Sequence, residues 1–287
     1  MDKKNTTKQI QWYPGHMFKS FREIKEKLKL MDIVMILLDA RLPLSSMNPN
    51  VLKMVKHKPI LLLFNKMDLA DTNLLYDHMT YYEDLGFSTL KIDSQSQINT
   101  NKIYDKAYEV LKEKMVRNRE KGLLDRPIRT MILGIPNVGK STLINALSGK
   151  KATKTGNKPG VTKAQQWIKL GSNFELLDTP GVLWPKFEDE KVGYHLAITG
   201  AIKDDIIPID DVCQYALNFL KIHYPKRLLD RYDIALDMDD YVSMLDAIGQ
   251  KRGALLRGAE IDYDRVYHII LTDIRNNQLG GLSFDRI

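Results

Sequence analysis

Eight residues limit what this chain can fold into more than any others: Gly134-Ile-Pro-Asn-Val-Gly139-Lys140-Ser141, between the apolar run 128–133 and the helix-forming stretch 141–147. A turn of the form G-x-x-x-x-G-K-S between a strand and a helix is built to wrap phosphate. Its glycines let the backbone approach the anion closely, and the helix aims unpaired N–H groups and its positive dipole end at the same point. The pattern demands a strand entering from a sheet and a helix leaving over it, so the fold class is α/β. On this reading Lys140 reaches the β- and γ-phosphates and Ser141 offers its hydroxyl to Mg²⁺, while Asn137, Val138, Gly139 and Thr142 complete the cradle.

The first two hundred residues agree. Short Val/Ile/Leu-rich runs at 33–38, 60–64, 88–92, 128–133, 166–170 and 174–177 alternate with helical stretches near 48–57, 72–85, 100–121 and 140–149. Near-continuous apolar strands belong to a mostly parallel sheet covered on both faces. Residues 121–127 (KGLLDRP) read as a linker, with Gly122 ending a helix and Pro127 blocking its continuation. From about Asp204 the pattern is helical only, at 210–223, 226–232, 239–249 and 263–277, punctuated by Pro208 and Pro225. Two domains are expected: 1–203, with a basic segment 1–31 included, and an all-helical 204–287.

Two further signatures follow strands, at the end where open α/β sheets bind ligands. Asn65-Lys66-Met67-Asp68 comes after the run 60–64. A carboxylate only accepts hydrogen bonds, so Asp68 suits the N1–H and exocyclic N2–H₂ of guanine. Adenine has a lone pair at N1 and no amino group at C2, and is rejected. Lys66 can lay its stem along the base, Asn65 can tether neighbouring loops, and Met67 belongs to the same loop. Ile92-Asp93-Ser94-Gln95 supplies a second base-facing loop, with Asp93 and Ser94 as its contacts, although it departs from the usual Ser-Ala-Lys type. In Asp178-Thr-Pro-Gly181, Asp178 can hold a Mg²⁺-bound water and the Gly181 N–H can sense a γ-phosphate. The basic, glycine-rich stretch 150–166 reads both as a solvated loop and as a switch, with Thr162 its Mg²⁺ ligand. Together the set selects GTP and GDP.

Chains with these signatures normally run P-loop, switch threonine, D-x-x-G, then N-K-x-D. Here N-K-x-D comes first and the P-loop begins only at Gly134. This order is a circular permutation, which α/β domains tolerate because their natural ends lie at the surface. The segment leaving Gly181 then runs straight into the helical part, so a γ-phosphate-dependent move of the switch would reorient that part.

Basic residues outnumber acidic ones by 43 to 36, unevenly: 21 against 15 over 1–122, 11 against 6 over 123–202, and 11 against 15 over 203–287. The run Lys19, Arg22, Lys25, Lys27 and Lys29 suits a polyanion such as RNA, and equally a solvated amphipathic helix. The longest apolar run is far short of a membrane span, and the first residues carry no secretory pattern. The lone Cys213 reads as a buried helical thiol in a reducing compartment. A cytoplasmic protein with no membrane partner is expected.

Further stretches complete a wider pattern: Gln11-Trp-Tyr-Pro-Gly-His-Met17, Asp39-Ala-Arg41, Pro159-Gly-Val-Thr162, Leu183-Trp-Pro-Lys-Phe-Glu-Asp189 and Thr199-Gly-Ala-Ile-Lys203. With the signatures above, they make the chain resemble the ribosome biogenesis GTPase A (RbgA/YlqF) family over nearly its full length. The resemblance implies a circularly permuted P-loop GTPase domain followed by a helical domain that contacts rRNA. It also implies a GTP hydrolase stimulated by the ribosomal particle in late maturation of the large (50S) subunit, with the subunit precursor, rRNA and ribosomal proteins as partners. An RNA-binding scaffold, or a GTPase of small-subunit or tRNA maturation, is the alternative.

Where many GTPases place a water-orienting glutamine after D-x-x-G, this chain has Val182 and then Leu183. The family's substitute implies His16 as the catalytic group; a lone histidine reads equally well as structural. Asn137 resembles the asparagine that coordinates K⁺ in potassium-activated GTPases, and reads equally as a loop cap. The acidic balance of 203–287 restricts RNA contacts there to local clusters such as Lys226/Arg227 and Lys251/Arg252.

Overall fold

The computed structural model describes residues 15–122, 126–149, 166–171, 173–234, 238 and 240–287, except for the side chains of His16 and Gln166. The expected Mg²⁺ ligand Thr162 and the side chain of His16 thus lie outside the described residues. In chain order the elements are α1 (Gly15–Leu28), β1 (Ile33–Asp39), α2 (Pro49–Val55), β2 (Ile60–Asn65), α3 (Thr72–Asp84), β3 (Ser88–Lys91), α4 (Lys102–Glu120), β4 (Ile128–Gly134) and α5 (Lys140–Ser148). They continue with β5 (Gln166–Leu170), β6 (Phe174–Asp178), α6 (Glu190–Ile198), α7 (Ile209–His223), α8 (Pro225–Tyr232), α9 (Tyr241–Arg252) and α10 (Tyr263–Arg275).

The strands form one sheet in the order β3-β2-β1-β4-β6-β5, parallel throughout except for the hairpin of β6 with β5. Period-two alternation sends Ile33, Met35 and Leu37 of β1 into one apolar cluster and Val34, Ile36 and Leu38 into another. α4 and α5 cover the first face through Ile103, Ala107, Leu111, Leu143 and Ile144. α1, α2 and α3 cover the second through Ile24, Leu28, Val51, Val55, Leu75 and Tyr82. Each of the larger aliphatic side chains among these contributes about 1.5–3 kcal/mol on burial, which makes the sheet the rigid base of the molecule. Register then levels the strand ends: Asp39 lies opposite Asn65, and Leu37 opposite Gly134.

Helix α6 is absent from the sequence reading, for a physical reason. Gly193, His195, Leu196, Ala197 and Ile198 of its nine residues are buried and only Glu190 and Lys191, both at its start, are exposed, so its polar face is too short to set a period. α7–α10 fall where the pattern expects helices, and their apolar residues join the first cluster without a break. Cys213 is fully buried on α7, and burial pushes its thiol up to about 12. Of the basic pairs proposed for RNA, Arg227 donates to the Gly281 carbonyl and lies over the Tyr224 ring, and Lys251 pairs with Asp233. Lys226 and Arg252 are exposed. Among the described residues no helix is long and apolar enough to cross a membrane.

Candidate nucleotide-binding site

The P-loop turns between β4 and α5, where Asn137 (φ 56°) and Gly139 (φ 102°) both occupy the left-handed region. Gly139 has a second reason to be glycine: a Cβ there would lie 2.2 Å from the Asn65 amide nitrogen. That closeness is a contact, because Asn65 Nδ2 donates to the Val138 carbonyl at 2.8 Å. The other end of the same amide, Oδ1, accepts from the Ser94 N–H at 3.0 Å and the Ser94 hydroxyl at 2.8 Å. One buried asparagine therefore joins the P-loop, the end of β2 and the loop after β3. Asp93 accepts from the N–H groups of Gln95 and Ser96 at 2.8 and 3.2 Å, which folds its loop into a turn.

Lys66, itself at φ 61°, reaches across to the same place. Its ammonium donates to the Asn137 carbonyl at 2.8 Å and to Asp39 Oδ2 at 2.9 Å. Arg41 forks onto Asp39 from Nε and Nη2 at 2.9 and 2.7 Å. Burial acts to raise the Asp39 pKa, but the Arg41 and Lys66 charges prevail and hold it well below the usual carboxylate range. Burial lowers the pKa of Lys66, with Asp39 opposing. Asp68 stands at the open side; partial burial, and then the nearby Asp93 carboxylate, raise its pKa.

Lys140 arches over its own loop, its ammonium capped by the carbonyls of Gly134 and Ile135 at 3.1 and 2.9 Å. Asp178, at the end of β6, is fully buried, and neither carboxylate oxygen has a hydrogen-bond partner of regular geometry among the described residues. Burial raises the Asp178 pKa, and Lys140 and the neighbouring Thr179 backbone oppose the shift. Burial likewise lowers the pKa of Lys140. Gly181 passes so close to the P-loop that a Cβ would meet the Pro136 backbone at 2.7 Å. The next N–H, of Val182, donates to the Gly134 carbonyl at 3.2 Å. Val182 and Leu183 are fully buried, so neither meets water at the site. Asn137 Nδ2 donates to the Gly200 carbonyl at 2.7 Å, tying the P-loop to the turn after α6. Met67 is half-buried beside Asp68, and Ser141 and Thr142 open α5.

The sequence-predicted residues Asn65, Lys66, Ser94, Asn137, Val138, Gly139, Lys140 and Gly181 are thus in mutual contact or joined by one intermediary. Asp39 and Arg41 were missed as site residues. Their signal was a charged pair closing an otherwise apolar strand, where a sheet end meets ligand. Among the described residues no group of three His, Cys, Asp or Glu side chains could hold a metal alone. Any cation here would share its ligands with hydroxyl groups and phosphate.

Residues 129–233 match the family described as 50S ribosome-binding GTPase. The chain is 52% identical to ribosome biogenesis GTPase A of Priestia megaterium over 277 residues, 96% of each chain. To ribosome biogenesis GTPase A of Bacillus pumilus it is 51% identical, over 96% of this chain and 98% of the relative. Among solved structures it is similar to GNP-bound YlqF from T. maritima, with TM-score 0.68 and 24% identity over 93% of this chain and 98% of that one. A GDP-bound structure of TM YlqF gives the same TM-score over 92% and 99%. At that identity the two structures bear on the fold alone.

Proposed function

The chain belongs to the ribosome biogenesis GTPase A family, and from that premise we propose that it binds and hydrolyses GTP as an assembly factor in late maturation of the large ribosomal subunit. The observation that carries the nucleotide half is the junction at Asn65. One amide ties the phosphate-wrapping turn to the loops that carry Asp68 and Asp93, so phosphate and base are read by parts of one rigid frame. Asp68 accepts from guanine N1–H and N2–H₂, and Lys140 exchanges the Gly134 and Ile135 carbonyls for phosphate oxygens.

The residues fit Mg²⁺: a fully buried carboxylate without a regular partner, Asp178, lies at the strand end beside the Ser141 helix start. Ser141 and Thr162 would hold the ion directly, and Asp178 through water. When bound, it neutralises phosphate charge. With Val182 and Leu183 buried, orientation of the attacking water falls to His16 or to a group supplied by the particle. Asn137 donates Nδ2 to the Gly200 carbonyl, a bond compatible with both the loop-cap role and K⁺ coordination, since K⁺ would be held by Oδ1; equal rates in Na⁺ and K⁺ would leave the loop cap.

The domains meet the particle differently in this reading. α1 offers Lys19, Arg22, Lys25 and Lys27, all exposed, to rRNA. Segment 204–287 adds Lys226 and Arg252. Depletion followed by sucrose-gradient analysis tests the proposal: immature large subunits should accumulate. Normal large subunits with defective small subunits or tRNA would overturn it.

A further inference from the structure

After α10 the chain returns to the nucleotide site. Asn277 Nδ2 donates to the Asp68 carbonyl at 3.3 Å, and the Leu282 N–H donates to the Leu69 carbonyl at 2.9 Å. Between them Gly281 lies so close to the next residue of that loop that a Cβ would stand 2.3 Å from the Ala70 carbonyl oxygen. Three consecutive residues of the loop that begins with N-K-x-D are therefore held from below by the C-terminal segment.

The same segment grips the loop after β1. The Phe284 N–H donates to the Arg41 carbonyl at 2.8 Å. Asp285 Oδ2 accepts from the N–H groups of Leu44 and Ser45 at 2.7 Å each, and Oδ1 accepts from the Ser45 hydroxyl at 2.5 Å. His195 Nδ1 of α6 lies 3.0 Å from Asp285 Oδ1. Tyr224 of α8 locks the segment from outside, donating to Asp71 and accepting from the Ser283 N–H at 3.0 Å. Leu282, Ser283, Phe284 and Asp285 are all buried.

We infer that residues 277–285 are a strap that positions the base-reading loop and so sets how well the protein distinguishes guanine from other purines. The inference rests on the reading that Asp68 accepts from guanine. Asp68 is exposed and has no side-chain partner to orient it among the described residues; its backbone carbonyl is instead fixed by Asn277, and the next two residues by Leu282 and Gly281. A loop freed from the strap would still accept a purine, but it would aim the carboxylate less well. The strap's residues touch no phosphate-binding group, so they are positioning residues and leave turnover at saturation unaltered.

The test compares GDP with inosine diphosphate, which lacks the 2-amino group and so loses one of the two bonds to Asp68. A hydrogen bond to a charged group predicts that the wild-type full-length chain prefers GDP by about ten- to a hundredfold. Dissociation constants are then measured for Gly281→Ala, Asn277→Gly and Asp285→Asn, with melting temperatures and with kcat and KM for GTP. The preference should fall by about threefold or more in each variant, through weaker GDP binding, with KM raised and kcat unchanged. Should Gly281→Ala fail to fold, Asn277→Gly carries the same prediction, because it removes the exposed amide while glycine accepts the left-handed backbone at that position (φ 59°). An unchanged GDP preference, or equal losses for both nucleotides, would overturn the strap. If instead the wild type does not distinguish the two nucleotides, or Asp68→Ala leaves their ratio intact, the guanine reading has failed and the strap's role falls with it.

Discussion

Replacing Arg41 by methionine keeps the apolar stem of the side chain and removes the guanidinium that forks onto Asp39. Both partners are 2% exposed, and the contacts are 2.9 and 2.7 Å. Removing one partner of a buried ion pair costs about 3–5 kcal/mol, because the other charge is left uncompensated. Here Lys66 stays 2.9 Å from the same carboxylate, so the low end, about 3 kcal/mol, applies. Against a total stability of about 5–15 kcal/mol this is a large fraction. At about 2–4 °C per kcal/mol for a chain of this size, the melting temperature should fall by roughly 6–12 °C. Urea unfolding of the wild type, Arg41→Met, Asp39→Asn and the double variant measures the pair directly. The double variant should be more stable than the sum of the single losses predicts, by about 1.5 kcal/mol or more. Additive losses, within about 0.5 kcal/mol, would refute the reasoning. So would a cost for Arg41→Met below about 1 kcal/mol, the range of an exposed pair.

Three further outcomes are expected. Gly139→Ala forces a methyl group to 2.2 Å from the Asn65 amide at φ 102°; affinity for a fluorescent GDP should fall at least about tenfold, and near-normal affinity would remove Asn65 as the tether. Asp39 and Asp285 both have lowered pKa values. Burial acts to raise each, and is overcome by Arg41 and Lys66 at Asp39 and by His195 and Ser45 at Asp285. Their contribution to stability is therefore complete above the ordinary carboxylate pKa of about 3.9 and is lost as pH falls toward the lowered folded values. Urea midpoints should accordingly drop on acidification below about pH 4, and Asp39→Asn and Asp285→Asn should each flatten the slope. His16→Ala should leave GTP affinity nearly intact and sharply reduce particle-stimulated turnover in a phosphate-release assay; normal turnover would eliminate His16 from the mechanism.

Much of the candidate nucleotide site is legible in the sequence, because its parts are local. A P-loop is read from eight consecutive residues between a strand and a helix, and N-K-x-D and D-x-x-G each follow an apolar strand. The chemistry of those residues does not depend on which strand neighbours which. The order of the motifs revealed the permutation for the same reason. Helix α6 was not legible, because nine residues whose only exposed positions are Glu190 and Lys191 at the start carry too little polar face to set a period.

By itself the sequence determined the strands, the phosphate turn, the carboxylate suited to guanine and the absence of a glutamine after D-x-x-G. Only tertiary structure decided what holds these parts together. Register levels Asp39 with Asn65, and this lets Arg41, Lys66 and Asn137 share one charge network. Folding brings Asp285 to Ser45 and Leu282 to Leu69, across more than two hundred residues of chain. No periodicity records such contacts. They are made by backbone groups and buried side chains whose partners are chosen by the packing of helices on a sheet, not by their neighbours in the chain.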